Sequence, residues 1–326
     1  GNHEFAEGTL PKNDSRRVGL RGNFGFQPHK WLNIAVNTAF SNRASNFLES
    51  GDNTYGFLLN VFRGTQDYTG GNHDILLDID NAGSTDHFVG GVTFTGSPWS
   101  SIATRLTIGT DYTNSFNEET LPFNFALLPK GQRNTSNWMH RTLTADLATT
   151  WSSKVGSKFS SALSVGGQFF QDLDHTQVGT AEGFGGPGAV TLSSGATSRA
   201  NEAQMTTVNA GLFVQELFGY NDRLFLTIGA RADGNSAFGS DLGLQVYPKV
   251  SASYVLSDES FWPEWWQVMK LRAAWGEAGK APGAFDAVRT WTPVAGYEAQ
   301  AGVTPANVGN PQLGPERTSE IELGFE

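Results

Sequence analysis

The chain has 326 residues, a net charge of −10, 23 phenylalanines, nine tryptophans and no cysteine. The acidic balance argues against nucleic-acid binding, which requires a basic patch or stripe, and against attraction by anionic lipid head groups. No run approaches the roughly 18 consecutive apolar residues of a membrane-spanning helix. The composition therefore excludes a helical membrane protein and leaves one large domain or two of ordinary size.

Apolar and polar side chains alternate over stretches of about ten residues. In the clearest stretch, 102–112, Leu106 and Ile108 fall on one face of a strand and Arg105 and Asp111 on the other. A strand points successive side chains to opposite faces, so this pattern predicts a sheet with one apolar and one polar face. Eleven strands are predicted, over residues 16–26, 32–41, 87–95, 102–113, 141–151, 159–171, 206–217, 223–233, 246–256, 269–276 and 318–325.

The predicted connections alternate in length. The short ones cover 27–31, 96–101, 152–158, 218–222 and 257–268, and the long ones cover 42–86, 114–140, 172–205 and 277–317, with 234–245 intermediate. Outer-membrane barrels place short turns on the periplasmic side and long loops outside, whereas a soluble sandwich distributes long loops over both ends. The pattern predicts an all-β fold, a transmembrane antiparallel β-barrel with a defined orientation.

Aromatic residues gather at the short connections. They are Trp31, Trp99, Trp151, Phe218, Tyr220, Phe261, Trp262, Trp265 and Trp266. Indole and phenol rings favour the interface between bilayer and water, so we expect a periplasmic aromatic girdle. The segment 257–268 is a candidate for a short interfacial helix, which Pro263 would limit.

Several motifs resemble one family of barrels. Residues 309–324, GNPQLGPERTSEIELG, resemble the segment that enters a late barrel strand in TonB-dependent transporters of the SusC/RagA type. Residues 224–239, 247–259 and 271–280 resemble the middle barrel of that family in the same order, and 31–46 adds a weaker match. The resemblance implies a 22-stranded barrel with a plugged lumen. About eleven strands would be half of that wall, so residues 1–326 are predicted to form a partial receptor barrel. We expect the plug, the TonB-binding box and the C-terminal strands to lie outside them.

The resemblance also implies a function. It suggests an importer of large nutrients, such as oligosaccharides or peptides, in the outer membrane of a Gram-negative-type bacterium. Its implied partners are TonB, outer-membrane lipid and a SusD-like surface lipoprotein that helps to capture the ligand. Three alternatives remain open: a siderophore or cobalamin receptor, a structural or adhesive barrel without transport, and an outer-membrane hydrolase. No Gly-x-Ser-x-Gly or His-Glu-x-x-His segment surrounds any of the six histidines, so no enzyme and no cofactor are predicted.

Polar residues that face inward by strand parity are candidates for a wet lumen. They are Arg17, Arg21, Asn33, Asn37, Arg105, Asp111, Asp146, Gln168, Gln215, Arg231, Asp233, Lys249 and Arg272. Ligand-binding candidates among them are Arg105, Asp111, Arg231, Asp233 and Arg272. The predicted long loops add Trp138, Trp291 and Tyr297, because aromatic rings stack on sugar faces or peptide side chains. For any single residue, hydrogen bonding to a plug or to water is the simpler interpretation.

One segment is rich in possible metal ligands, namely His73, Asp74, Asp78, Asp80, Asp86 and His87. Asp78 and Asp80, followed by Gly83, resemble the start of an EF-hand calcium loop. However, Ala82 occupies a position that requires a ligand, and Val89 occupies the position of the terminal glutamate. The EF-hand interpretation therefore fails. A looser structural calcium site stays a secondary hypothesis beside the simpler one of a solvated loop.

Overall fold

The computed structural model describes residues 1–188, 191–263 and 265–326. Within these residues, twelve strands form one antiparallel sheet in the order β1 to β11 followed by β14, and β12 and β13 form a separate hairpin. The strands are β1 (Asn2–Glu7), β2 (Asp14–His29), β3 (Leu32–Asn46), β4 (Asp80–Trp99), β5 (Ile102–Leu121), β6 (Gln132–Val155), β7 (Phe159–Phe184), β8 (Gly195–Tyr220), β9 (Leu224–Asn235), β10 (Gln245–Val255), β11 (Lys270–Lys280), β12 (Thr290–Ala295), β13 (Ala301–Asn307) and β14 (Glu316–Phe325).

Helical structure is confined to the connections. The helix α1 covers Phe57–Arg63, and single 3-10 turns cover Gly64–Gln66, His73–Asp78, Leu192–Ser194, Leu256–Asp258 and Tyr297–Ala299. No helix in the described ranges is long and apolar enough to cross a membrane.

All eleven predicted strands are confirmed, and the middle ones are much longer than predicted. The segment predicted over 141–151 is the 24-residue strand Gln132–Val155, and the one predicted over 159–171 is the 26-residue strand Phe159–Phe184. Beyond the apolar band both faces of these strands are polar, so the alternation that marks a strand in the sequence fades while the backbone ladder continues. The predicted long loops 114–140 and 172–205 are therefore wrong in extent. The connections that remain are 122–131 and 185–194, and residues 189–190 lie outside the described ranges.

Three strands were not predicted. The polar strand β1 pairs with β2, from Asn2 opposite Gly19 to Glu7 opposite Asp14. The hairpin of β12 and β13 lies inside the predicted loop 277–317. The candidate helix over 257–268 does not form in the described part of this segment, where the one helical element is the 3-10 turn Leu256–Asp258; Glu264 lies outside the description. Pro263 and the hydrogen bond from Trp262 Nε1 to Trp266 O, 2.7 Å, shape a compact turn instead.

The connections of the sheet alternate between its two ends as predicted. Two or three residues join β2 to β3, β4 to β5 and β6 to β7, whereas residues 47–79 join β3 to β4 and residues 281–315 separate β11 from β14. We call the edge with the short turns the inner end and the opposite edge the outer end.

The two faces of the sheet differ sharply in chemistry. We call the two faces the outer face and the inner face, which are distinct from the outer and inner ends. On the outer face, large apolar side chains are unusually exposed, for example Leu212 at 68% and Ile228 at 50%. The opposite face carries threonine, serine, glutamine and charged side chains, joined by bonds such as Thr150 to Ser164 at 2.9 Å. A single-layer wall has no core beneath it, so its apolar side chains need an apolar solvent outside.

A small core lies beyond the outer end of the sheet. Leu76, Ile79, Leu121 and Phe125 are at most 2% exposed and pack together. They join the long connection 47–79 to the connection between β5 and β6. These two loops therefore form one packed unit, which we call the outer loop unit.

Candidate functional site

The inner face carries one continuous row of cross-strand partners from β5 to β9. Thr107, Asp146, Gln168, Gly211 and Asp233 lie opposite one another in that order. Strands that pair in register bring same-face side chains within reach, so polar groups far apart in the sequence become neighbours here.

Four side chains near this row form a connected hydrogen-bond network, which we call the wall network. Gln168 Nε2 donates to Asp146 Oδ1 at 2.7 Å, and Arg231 Nη2 donates to Gln168 Oε1 at 2.9 Å. Arg231 Nε donates to both oxygens of Asp233, at 2.7 and 2.9 Å. The structure thus brings the predicted inward residues Arg231 and Asp233 together.

Arg105 lies on the neighbouring row of the inner face, which it shares with Arg231 of the wall network. Its row continues through Ala148, Gly166 and Phe213 to Arg231. Ala148 and Gly166 are small, and a concavity of about 410 Å³ on this part of the wall is lined by Arg105, Phe213 and Arg231. Arg231 is engaged by Asp233 and Gln168, whereas Arg105 approaches no carboxylate within 4.0 Å among the described residues. An arginine with free donors on a polar wall can bind a carboxylate or a hydroxyl group.

The outer end of the inner face carries a band of paired histidines and aspartates. His87 Nε2 lies 2.9 Å from Asp111 Oδ1, and His140 Nδ1 lies 2.9 Å from Asp174 Oδ1. Thr142 bridges His140 to the neighbouring strand, because its hydroxyl donates to Asp172 Oδ1 at 2.6 Å. The predicted candidate Asp111 is therefore held by a histidine of β4.

Trp138 was predicted to lie in a long loop, and this is wrong. It lies within β6, where its ring stacks on that of His140 with a centroid distance of 5.8 Å and an interplanar angle of 16°. Asp172 and Asp174 fall in the predicted loop 172–205 but lie on β7, so the sequence did not predict them as partners. Their spacing of two residues continues the parity of Gln168 and is the signal that could have placed them on the inner face.

The remaining candidates are dispersed. Arg272 lies at the inner end, with Nη2 at 3.0 Å from Glu326 Oε1. Trp291 is on β12 and 51% exposed, and Tyr297 lies in the turn of the same hairpin and is 86% exposed. These two aromatic residues share one hairpin and are not part of the wall network.

Several of the possible metal ligands of segment 73–87 have partners of their own. His73 Nε2 lies 2.7 Å from Asp67 Oδ2, Asp80 lies 2.8 Å from Lys12 Nζ, and Asp86 accepts from Asn42 Nδ2 at 2.8 Å. Within the described part of the chain, no three such side chains converge into a group that could hold a metal ion.

Asp67 is the most enclosed carboxylate of the outer loop unit. Its side chain has no solvent exposure and accepts from the Thr69 hydroxyl and the Gly71 amide. The Thr69 hydrogen bond, followed by the backbone amides and His73, lowers the pKa of Asp67, and burial opposes this only in part. In the same unit, burial and then Glu119 raise the pKa of Tyr55.

A long-stranded antiparallel sheet with an apolar outer face and a hydrogen-bonded polar inner face is the wall of a membrane β-barrel. Comparison with known sequences makes the assignment specific. The profile of the family described as TonB dependent receptor-like, beta-barrel matches residues 25–326, and the chain belongs to this family. Members of the family are transporters of the Gram-negative outer membrane.

Individual relatives agree with this assignment. The chain is 27% identical to the TonB-dependent receptor P26 of Formosa agariphila, over 74% of this chain and 26% of that protein. A second receptor of that organism, P39, is 26% identical over 36% of this chain and 12% of its own length. The chain thus spans about a quarter of the first relative.

Solved structures show the same fold. The RagAB peptide transporter superposes with a TM-score of 0.82 at 16% identity, covering 96% of this chain and 38% of that one. The siderophore receptor PirA from Acinetobacter baumannii superposes with a TM-score of 0.55 at 16% identity, covering 96% and 41%. The family and fold predicted from the motifs are confirmed.

Proposed function

We propose that this chain forms part of the wall of an outer-membrane importer that takes up large nutrients, such as oligosaccharides or peptides. The observation that carries the proposal is the wall network of Asp146, Gln168, Arg231 and Asp233 on the inner face. A continuous polar lining suits hydrated solutes, and the apolar outer face suits lipid. The chain makes and breaks no bond in this function and needs no cofactor.

Individual residues then have distinct roles in the proposal. Arg105, with unused donors beside the concavity, and Arg272 at the inner end would bind anionic or hydroxyl groups. Asp111 in the outer band and Asp233 in the wall network would accept from amines or hydroxyls. Trp138 would offer a ring face at the outer end, which suits a sugar or an apolar peptide side chain.

The proposed partners are TonB and a SusD-like surface lipoprotein. Support comes from membership of the TonB-dependent family and from the likeness to RagAB, which is described as a peptide transporter. The outer loop unit and the β12–β13 hairpin, with exposed Phe62, Trp291 and Tyr297, would contact such a lipoprotein. Large exposed aromatic side chains are common anchors of protein interfaces.

Growth and uptake measurements test the proposal. Deleting the gene should abolish growth on one member of a panel of oligosaccharides and peptides, and restoring the full-length gene should recover it. A variant carrying both Arg105→Gln and Asp233→Asn should fold yet take up the same nutrient more slowly. Wild-type growth of the deletion strain on every nutrient of the panel would contradict the proposal.

A siderophore receptor is the second candidate, because PirA shares the fold. Its TM-score is lower than that of RagAB, 0.55 against 0.82, so the nutrient importer is preferred. Growth under iron limitation separates the two. A deletion strain that fails only without iron would favour the siderophore receptor.

A further inference from the structure

A pit lies among the apolar side chains of the outer face. Ala252 of β10 and Ala273 of β11 are direct cross-strand partners on this face. Two methyl groups side by side leave the backbone accessible, and both residues are exposed. This produces a concavity of about 550 Å³ lined almost wholly by apolar atoms. Its size lies within the range of about 300–1,000 Å³ typical of small-molecule sites.

The register gives the two alanines larger same-face neighbours. Tyr254 and Leu271 lie on the inner side, Val250 and Trp275 on the outer side, and Leu226 and Leu323 on the flanks. The pit is therefore an open depression in the wall, with the two alanines on its floor and Tyr254, Leu271 and Leu323 along its border.

The pit lies directly above the polar boundary of the inner end. The Tyr254 hydroxyl donates to Glu259 Oε1 at 3.0 Å, and Arg223 Nη1 donates to Glu259 Oε2 at 3.1 Å. The connection that follows exposes Phe261 and Trp265, at 70% and 80%. Aromatic residues beside charged ones mark the head-group level of a bilayer.

We propose that this pit binds one acyl chain of a glycerophospholipid from the periplasmic leaflet. The inference rests on the proposed position in the outer membrane, with the short turns in the periplasm. The pit is continuous with the apolar band that faces lipid. The molecules in contact with it are therefore lipids, through their acyl chains. Hydrocarbon has no hydrophobic drive to leave lipid for protein, and the attraction is dispersion. An acyl chain inside the pit touches floor and sides, whereas one on the flat wall touches a single surface.

Retention of lipid by the full-length protein tests the proposal. Protein extracted from outer membranes in mild detergent should keep one glycerophospholipid in native mass spectrometry. Replacing both alanines, Ala252→Leu and Ala273→Leu, should abolish this retention because leucine side chains fill the pit. The control Ala145→Leu places the same side chain on the outer face of β6, between Ile108 and Phe169, and should leave the lipid bound.

Labelling supplies a second measurement. In nanodiscs of phosphatidylethanolamine with a photoactivatable acyl chain, crosslinks should concentrate on β10 and β11 and disappear in the double leucine variant. Uniform labelling around the wall, retention of lipid A instead of a glycerophospholipid, or retention that survives the double substitution would each overturn the proposal. Nutrient uptake is measured separately. Wild-type protein without bound lipid but with normal uptake refutes only the pit, whereas wild-type protein with bound lipid but without uptake refutes only the importer.

Discussion

Gly211 and Asp233 face each other across β8 and β9, and a Cβ atom on Gly211 would lie 2.0 Å from Asp233 Oδ1. It would also lie 2.6 Å from Arg231 Nη2. The wall network therefore exists because one residue in the middle of its row has no side chain. A strand glycine here is explained by the close approach of an ion pair.

This geometry predicts the effect of a single methyl group. Gly211→Ala should displace the Arg231–Asp233 pair and destabilise the folded barrel by about 0.5–1.5 kcal/mol, the net contribution of a lost hydrogen bond, because side-chain ends can move aside. Urea unfolding of the full-length protein measures this change in the free energy of unfolding. The folded fraction is followed by the different electrophoretic mobilities of folded and unfolded barrels. Gly25→Ala is the matched control, since a Cβ on this strand glycine would meet nothing within 4 Å. Equal stability of the two variants would contradict the role given to Gly211.

The two faces of β6 predict opposite responses to a positive charge. Leu147 lies on the outer face, 45% exposed, within the apolar band. Leu147→Arg should cost about 2–4 kcal/mol near the middle of the bilayer. Thr144→Lys, on the inner face of the same strand, should cost far less because water can reach it. Unfolding in lipid vesicles measures both variants, and a reversed order would show that the faces are assigned the wrong way round.

The core of the outer loop unit depends on Phe125. This residue is 1% exposed and meets the Tyr55 ring edge-on at 5.9 Å. Phe125→Ala should destabilise the unit by about 3–5 kcal/mol. Limited proteolysis on whole cells should then cut within residues 47–79, while the barrel stays folded. Phe62→Ala, at a residue 84% exposed, should leave the loop protected. Equal protease resistance in the Phe125 variant would show that the loops do not rely on this core.

Acid should loosen the same unit through Asp67. Its pKa is lower in the folded state than the ordinary value of 3.8, so its stabilising contribution is complete above that value. The contribution is lost as the pH falls below 3.8 and through the folded pKa. The protection of amides 67–73 against hydrogen exchange, relative to the intrinsic rate at each pH, should therefore fall in this acid range. In Asp67→Asn the exchange should be faster already at neutral pH and lack this acid step. The step should persist in Asp52→Asn, at an exposed residue of the same loop.

The candidate site was only partly predictable from the sequence. Parity along β9 places Arg231 and Asp233 on one face, and this is a local property that the sequence contains. The bonds to Gln168 and Asp146 depend on registers across β6 to β9, between residues separated by as many as 63 positions. Trp138 and Asp174 show a further limit. Above the apolar band both faces of a strand are polar, so periodicity no longer distinguishes strand from loop.

The sequence by itself determined the class of fold, the alternation of short and long connections, and the family, through its period-two pattern, its aromatics at short turns and the motif at 309–324. Each of these features depends on residues that are close together in the sequence. Only the tertiary structure decided that Gly211 makes room for an ion pair, that His140 stacks on Trp138, and that Ala252 meets Ala273 in a pit. Those relations follow from strand register, which backbone hydrogen bonds between distant segments set, and no local pattern specifies which residue will lie opposite which.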